Sequence, residues 1–266
     1  MKKILVYFAA AVFMLATAAP ACQGRKYDGP WKGKRIAILG DSISDPRRIG
    51  TQECWWEFIA ADWLLTADSY AKNGAQTNTF DQQAEKALKR QAEEGFRYDA
   101  IFIFGGTNDY NDNVPIGEWF SYEKAVTDKD GAMTELTKRT PIYGNETFKA
   151  RLNKMLLYVK TSFPGVPVYI LTPIHRGYAE FGRENVQPDD RWSNTLGLFI
   201  DDYVEAVKEA AGIWAVRCID LYAECGLLPA LEEYGDFIHD KVTDRLHPNA
   251  AGHRLMADTI ENHIRK

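Results

Sequence analysis

The chain has 266 residues, 45% of them hydrophobic and 26% charged, with a formal net charge of −5. This is ordinary globular composition, long enough to bury one substantial core. No block of like charges interrupts it, so a basic face for nucleic acid is not expected.

Residues 1–21 differ in character from the rest of the chain. Lys2 and Lys3 precede an apolar, Ala-rich stretch over 4–19, and Ala19-Pro20-Ala21 supplies a small-x-small pattern. These are the parts of a signal peptide, and an apolar run of about sixteen residues falls short of the ~20 that span a membrane comfortably. Export is therefore expected. Cys22 comes directly after and resembles the lipid-bearing cysteine of bacterial lipoproteins, although Ala19 stands where a larger aliphatic residue is usual. A lipid-anchored protein and a free periplasmic or secreted one both stay open. Residues 22–34, with Gly24, Gly29, Pro30 and Gly33, are expected to form a polar linker or tether.

From residue 35 to residue 266, short apolar runs alternate with longer amphipathic ones, the pattern of parallel strands joined through helices in one domain. Strands are expected over 35–40, weakly near 68–71, over 99–105, 166–172 and 213–219. Helices are expected over 53–65, 80–94, 148–163, 192–211 and 250–264. The result is an α/β fold, a three-layer α/β/α sandwich with a mostly parallel, roughly five-stranded sheet. No repeat of 20 to 50 residues or low-complexity stretch points to a solenoid. Two segments break the alternation, 111–145 and 175–190. Each comes after the carboxyl end of a strand, where open parallel sheets bind ligands, so functional loops are expected there.

Gly40-Asp41-Ser42 lies at the exit of the first strand. A serine held there faces the crevice, and a helix starting after it aims free N–H groups at the same place. The same tripeptide also makes an ordinary capped turn. Near the C-terminus stands Asp244-Arg245-Leu246-His247-Pro248. A serine hydroxyl needs a base, neutral histidine suits that role near pH 7, and a carboxylate fixes the imidazole tautomer. Read alone, this segment is better explained as an Asp cap and a loop histidine before a helix. Gly105-Gly106-Thr107-Asn108-Asp109, after the most apolar strand, offers an amide and a tight turn as oxyanion donors. Gly74 in Asn73-Gly74-Ala75 is by itself no more than a turn.

Together and in this order, Ser42, Gly74, Asn108 and His247 resemble the four blocks of the GDSL-type, or SGNH, esterase and lipase family. The resemblance covers essentially all of 35–266. It implies a flavodoxin-like sheet and hydrolysis of esters with no metal and no cofactor. It assigns Ser42 as nucleophile, His247 as general base and then acid, and Asp244 as its orienting partner. The Ser42 and Gly74 backbone N–H groups and the Asn108 side chain would form the oxyanion hole.

The unassigned loops hold Tyr110, Trp119, Tyr122, Tyr143, Tyr178 and Phe181 among polar residues. Aromatic faces mixed with polar groups suit sugar rings better than a long acyl chain. The expected partner is thus a small ester or an acetylated carbohydrate, with His175, Tyr110 and Trp119 as candidate contacts. A lipase, lysophospholipase, thioesterase, acyltransferase or non-catalytic glycan-binding lipoprotein are the alternatives. Cys54 reads as a packed thiol, Cys218 and Cys225 as a disulfide or two buried thiols, and no HExxH or CxxC array points to a metal.

Overall fold

The computed structural model describes residues 27–265. The expected signal segment and Cys22 lie outside them. The expected tether packs on the domain from Tyr27 onward, because it carries aromatic side chains that the sheet can bury. Trp31 Nε1 donates to Ile264 O at 2.8 Å and its ring stands 6.3 Å from that of Phe102.

In chain order the elements are β1 (Arg35–Gly40), α1 (Trp55–Trp63), β2 (Thr66–Ser69), α2 (Phe80–Glu94), β3 (Ala100–Phe104) and α3 (Thr107–Asn111). Next come β4 (Phe120–Lys129), β5 (Ala132–Pro141), α4 (Phe148–Ser162), β6 (Val168–Leu171), β7 (Ala179–Glu180) and β8 (Val186–Gln187). The chain closes with α5 (Ile200–Trp214), β9 (Arg217–Ile219), α6 (Leu221–Glu224), β10 (Ile238–Asp240), β11 (Asp244–Pro248) and α7 (Ala250–Ile264).

The central sheet has five parallel strands in the order β2-β1-β3-β6-β9. The inner strands β1, β3 and β6 are apolar on both faces, so successive residues serve opposite cores. Ala37, Leu39, Ile101, Ile103, Val168 and Ile170 pack under α2, α4 and α5. Ile36, Ile38, Phe102, Phe104, Tyr169 and Leu171 pack under α1 and α7, with Phe102 and Tyr169 stacked 4.6 Å apart. After β1 the chain runs first to β2 on one side and then to β3 on the other, leaving a crevice at the carboxyl ends of β1 and β3.

Several expected boundaries move. The second strand ends at Ser69, and the last begins at Arg217 because α5 runs on to Trp214. Residues 191–199 are loop rather than helix, with Asn194 accepting the Leu196 and Leu198 amides in a turn of its own. The 111–145 segment contains an antiparallel hairpin of two ten-residue strands, β4-β5, standing largely in solvent. A second small sheet, β10-β11-β7-β8, lies at the carboxyl edge of the main one. Among the described residues no helix is long and apolar enough to cross a membrane.

Candidate active site

Four chain segments meet at the crevice, and most of the contacts that hold them come from other elements. The first is the exit of β1. Gln83 of α2 satisfies both backbone groups of Gly40, accepting its N–H at 2.7 Å and donating to its carbonyl at 2.9 Å. Asp41 then caps a short 3-10 turn, its Oδ1 accepting the Ile43 N–H at 3.0 Å, and Ser42 opens that turn. Asp41 is fully buried and its Oδ2 meets no hydrogen-bond partner among the described residues. Burial pushes its carboxyl up to about 7, and nearby Asp109 adds to the shift.

The second segment comes after β2. Gly74 sits at φ +73°, a conformation that favours glycine. Three bonds hold the backbone around it: Asn73 N–H donates to Asp45 Oδ2 at 2.6 Å, Asn108 Nδ2 to Ala75 O at 2.9 Å, and Thr77 N–H to Asp109 Oδ2 at 3.1 Å. Among the described residues, neither the Ser42 amide nor the Gly74 amide donates to a protein acceptor.

The third segment is the start of α3. Asn108 spends one N–H on Ala75 and keeps the other. Asp109 is buried beneath it, and burial pushes its carboxyl up against the pull of Thr77 and of Arg151 Nη1, which donates at 2.8 Å. Arg151 also donates to Gln76 Oε1 at 2.6 Å, so one buried ion pair ties α4, α3 and the Gly74 loop together.

The fourth segment carries the histidine. It is a strand, β11, rather than the expected loop, paired with β10 across a register shift and with β7. His247 Nδ1 lies 2.9 Å from Asp244 Oδ2 and 3.0 Å from Oδ1, and its backbone N–H donates to Oδ1 at 3.1 Å. Nε2 is buried and makes no hydrogen bond among the described residues. Gly50 passes so close behind the ring that a Cβ there would stand 2.6 Å from His247 Cβ.

Ser42, Gly74, Asn108 and His247 line one cavity of about 650 Å³. Its other walls are mostly polar: Asn73, Asn111, Asp112, Glu184, Asn185 and Gln187, with an apolar strip of Ile49, Phe181 and Leu246. The Phe181 ring stands 5.6 Å from that of His247. The arrangement can do acyl transfer: a hydroxyl, an imidazole oriented by a carboxylate, and unspent N–H donors open on one space.

The expected substrate contacts fare differently. His175 is absent from the cavity wall; its ring stacks on Tyr222 at 3.7 Å and Nδ1 lies 2.6 Å from Asp190 Oδ2, holding it aside. Trp119 is buried in the core at the hairpin base, Nε1 donating to Glu209 Oε2 at 2.6 Å. Tyr110 is buried too, donating to Trp192 O at 2.6 Å, and touches only an adjoining cavity. Of the loop aromatics, Phe181 alone lines the main cavity. Cys54 is a buried free thiol pushed up to about 12 by burial, and Cys218 and Cys225 are free thiols as well. Buried His253 accepts the Trp55 N–H at 3.2 Å, and burial lowers it to about 3. Among the described residues no group of three or more His, Cys, Asp or Glu is arranged to hold a metal ion.

The expected loop 175–190 does reach the site, supplying the wall from Phe181 to Gln187, whereas Asp45, Arg151 and Gly50 were not anticipated. Asp109 closes the third motif block, and Asp45 comes directly after the first, which ends at Ser44. Nothing local marked Gly50 or Arg151.

The model of the GDSL-like lipase/acylhydrolase family matches residues 38–255. A crystal structure of a protein from Lactobacillus plantarum shares 26% identity, with a TM-score of 0.66, over 88% of this chain and 97% of that one. One from Chitinophaga pinensis, described as a possible lipase, shares 15% identity and a TM-score of 0.62 over 87% and 97%. A protein described as a GDSL-like lipase from Parabacteroides merdae shares 16% and a TM-score of 0.54 over 87% and 95%. No curated protein matches the chain.

Proposed function

Because the chain belongs to the GDSL-like lipase/acylhydrolase family, and is thereby an ester hydrolase, we propose that it is a serine esterase removing acetyl groups from carbohydrate. In this reading Ser42 Oγ attacks the ester carbonyl while His247 Nε2 takes its proton. Asp244 keeps Nδ1 protonated and stabilises the imidazolium. The negative oxygen of the tetrahedral intermediate is met by the Ser42 and Gly74 amides and the free N–H of Asn108. The intermediate collapses, the sugar oxygen leaves with the proton from His247, and water attacks the acyl-enzyme by the same route.

The observation that carries the reading is the unspent Nε2 of His247 opening with Ser42 and three uncommitted donors on one cavity. The acyl size is argued from the wall. Ile49, Phe181 and Leu246 can cover a methyl group, whereas a long chain would lie against amides and carboxylates and leave them unpaired. The same amides suit a hydroxyl-rich alcohol, which replaces the aromatic faces expected from sequence. We further infer from residues 1–22 that the protein works outside the cytoplasm, either released or held by lipid on Cys22.

Hydrolysis of nitrophenyl acetate, butyrate and decanoate by wild type and Ser42→Ala tests the proposal. It requires activity lost in the variant and a preference for acetate. Activity retained by Ser42→Ala, or a preference for decanoate, would refute it.

A further inference from the structure

A second cavity, of about 230 Å³, adjoins the first, and Asn111, Glu184, Asn185 and Gln187 line both. The wall between them is polarised by a cation behind it. Arg176 is 1% exposed, and among the described residues its guanidinium hydrogen-bonds no carboxylate. Burial lowers it to about 10, so it keeps its charge at neutral pH. Its Nη2 donates to Gln187 Oε1 at 2.6 Å, which obliges Gln187 to present its NH₂; that group donates to Asn185 Oδ1 at 2.8 Å. Asn185 is thereby oriented in turn, and its own NH₂ donates to no described residue. The guanidinium thus strengthens, through two amides, a donor at the shared wall.

Beside that donor stands an acceptor. The Glu184 carboxylate is exposed and pairs with no cation among the described residues. A polarised N–H donor next to a free carboxylate matches a sugar ring, whose neighbouring hydroxyls each give and take a hydrogen bond. An anionic chain would instead meet Glu184 and Asp112, and an alkyl chain would strand the amides. We propose that the side cavity is a leaving-group subsite for a neutral sugar unit next to the one bearing the ester, so that the enzyme works along a glycan chain. This rests on the esterase reading of the main cavity.

Ser193 and Val186 line the side cavity and not the main one, so Ser193→Trp and Val186→Trp plug it from two sides. Thermal melting first identifies which variants fold. Unacetylated xylotetraose and mannotetraose are then tested as inhibitors of nitrophenyl acetate hydrolysis, with tri-galacturonate alongside. At least one neutral tetraose should inhibit wild type competitively, and the folded plug variants should weaken that inhibition about tenfold, the worth of one or two hydrogen bonds. Tri-galacturonate should inhibit less. The subsite is overturned if neither tetraose inhibits, if the plugged proteins are inhibited as strongly as wild type, or if the uronate is the better inhibitor. Nitrophenyl acetate turnover that depends on Ser42 leaves the esterase reading standing in those cases. If wild type shows no turnover, calorimetric titration of the same sugars into wild type and plug variants reads the subsite alone.

Discussion

The Asp45 carboxylate accepts the Asn73 N–H at 2.6 Å, joining the loop that carries Ser42 to the loop that carries Gly74. The proposed nucleophile and oxyanion donor are therefore tied to one another through a buried side chain, alongside the Lys72 N–H that donates to Gly40 O at 3.1 Å. Asp45→Ala should lower kcat roughly 10–100-fold with little change in KM, because the Gly74 peptide is freed to drift by part of an ångström. Asp45→Asn keeps an acceptor for Asn73 and should restore most of the rate. Its lost pairing with exposed Arg47 costs little. Steady-state kinetics of the two variants checks this.

Asn108→Ala should reduce kcat by about 10²–10³, the usual cost of one oxyanion donor. It also removes the bond to Ala75 O, but Asp45 and Asp109 still hold the loop at Asn73 and Thr77. The melting temperature should accordingly change little while turnover collapses.

Asp41 makes stability depend on pH in an unusual direction for a carboxylate. Its pKa rises from 3.8 to about 7 on folding, chiefly through burial. The unfolded chain releases this proton first, so the folded state loses stability as pH rises from about 4 to about 7 and the loss then levels off. Asp41→Asn cannot titrate there. The stability of the variant relative to wild type should climb across that window and be flat above it, as urea unfolding at a series of pH values would measure.

The sequence made the central sheet and the four motif positions readable for a physical reason. Strands such as 100–104 are buried on both faces and so are apolar at every position, and residues at their carboxyl ends must face the crevice. The supporting contacts are long-range and leave no local pattern: Arg151 reaches Asp109 across 42 positions, and Gly50 backs His247. The hairpin of 120–141 was hidden because its alternation is not one of apolar against polar; both its faces are mostly solvated. The loop aromatics misled because an aromatic side chain buries itself wherever a core is near, as Trp119 and Tyr110 do.

Phe181 should set acyl size. It stands beside His247 on the short apolar strip, and only Ile49 and Leu246 accompany it. Phe181→Ala widens that strip, so the ratio of acetate to octanoate turnover should fall about tenfold, the scale on which a hydrophobic pocket discriminates. Paired assays on the two nitrophenyl esters measure it.

Thiol reagents should leave the enzyme active. Burial pushes Cys54 up to about 12 and Cys218 and Cys225 up to about 11, so thiolate is scarce at neutral pH among the described cysteines. Iodoacetamide at pH 7.5 should not slow nitrophenyl acetate hydrolysis over the time of the assay.

The most direct test is to trap the nucleophile. Wild type treated with a nitrophenyl alkylphosphonate should lose activity as one phosphonyl group is added, and peptide mass mapping should find it on Ser42. His247→Ala should react far more slowly, since it removes the imidazole proposed to take the hydroxyl proton. Label on another residue, or labelling of Ser42 at the wild-type rate without His247, would contradict the account.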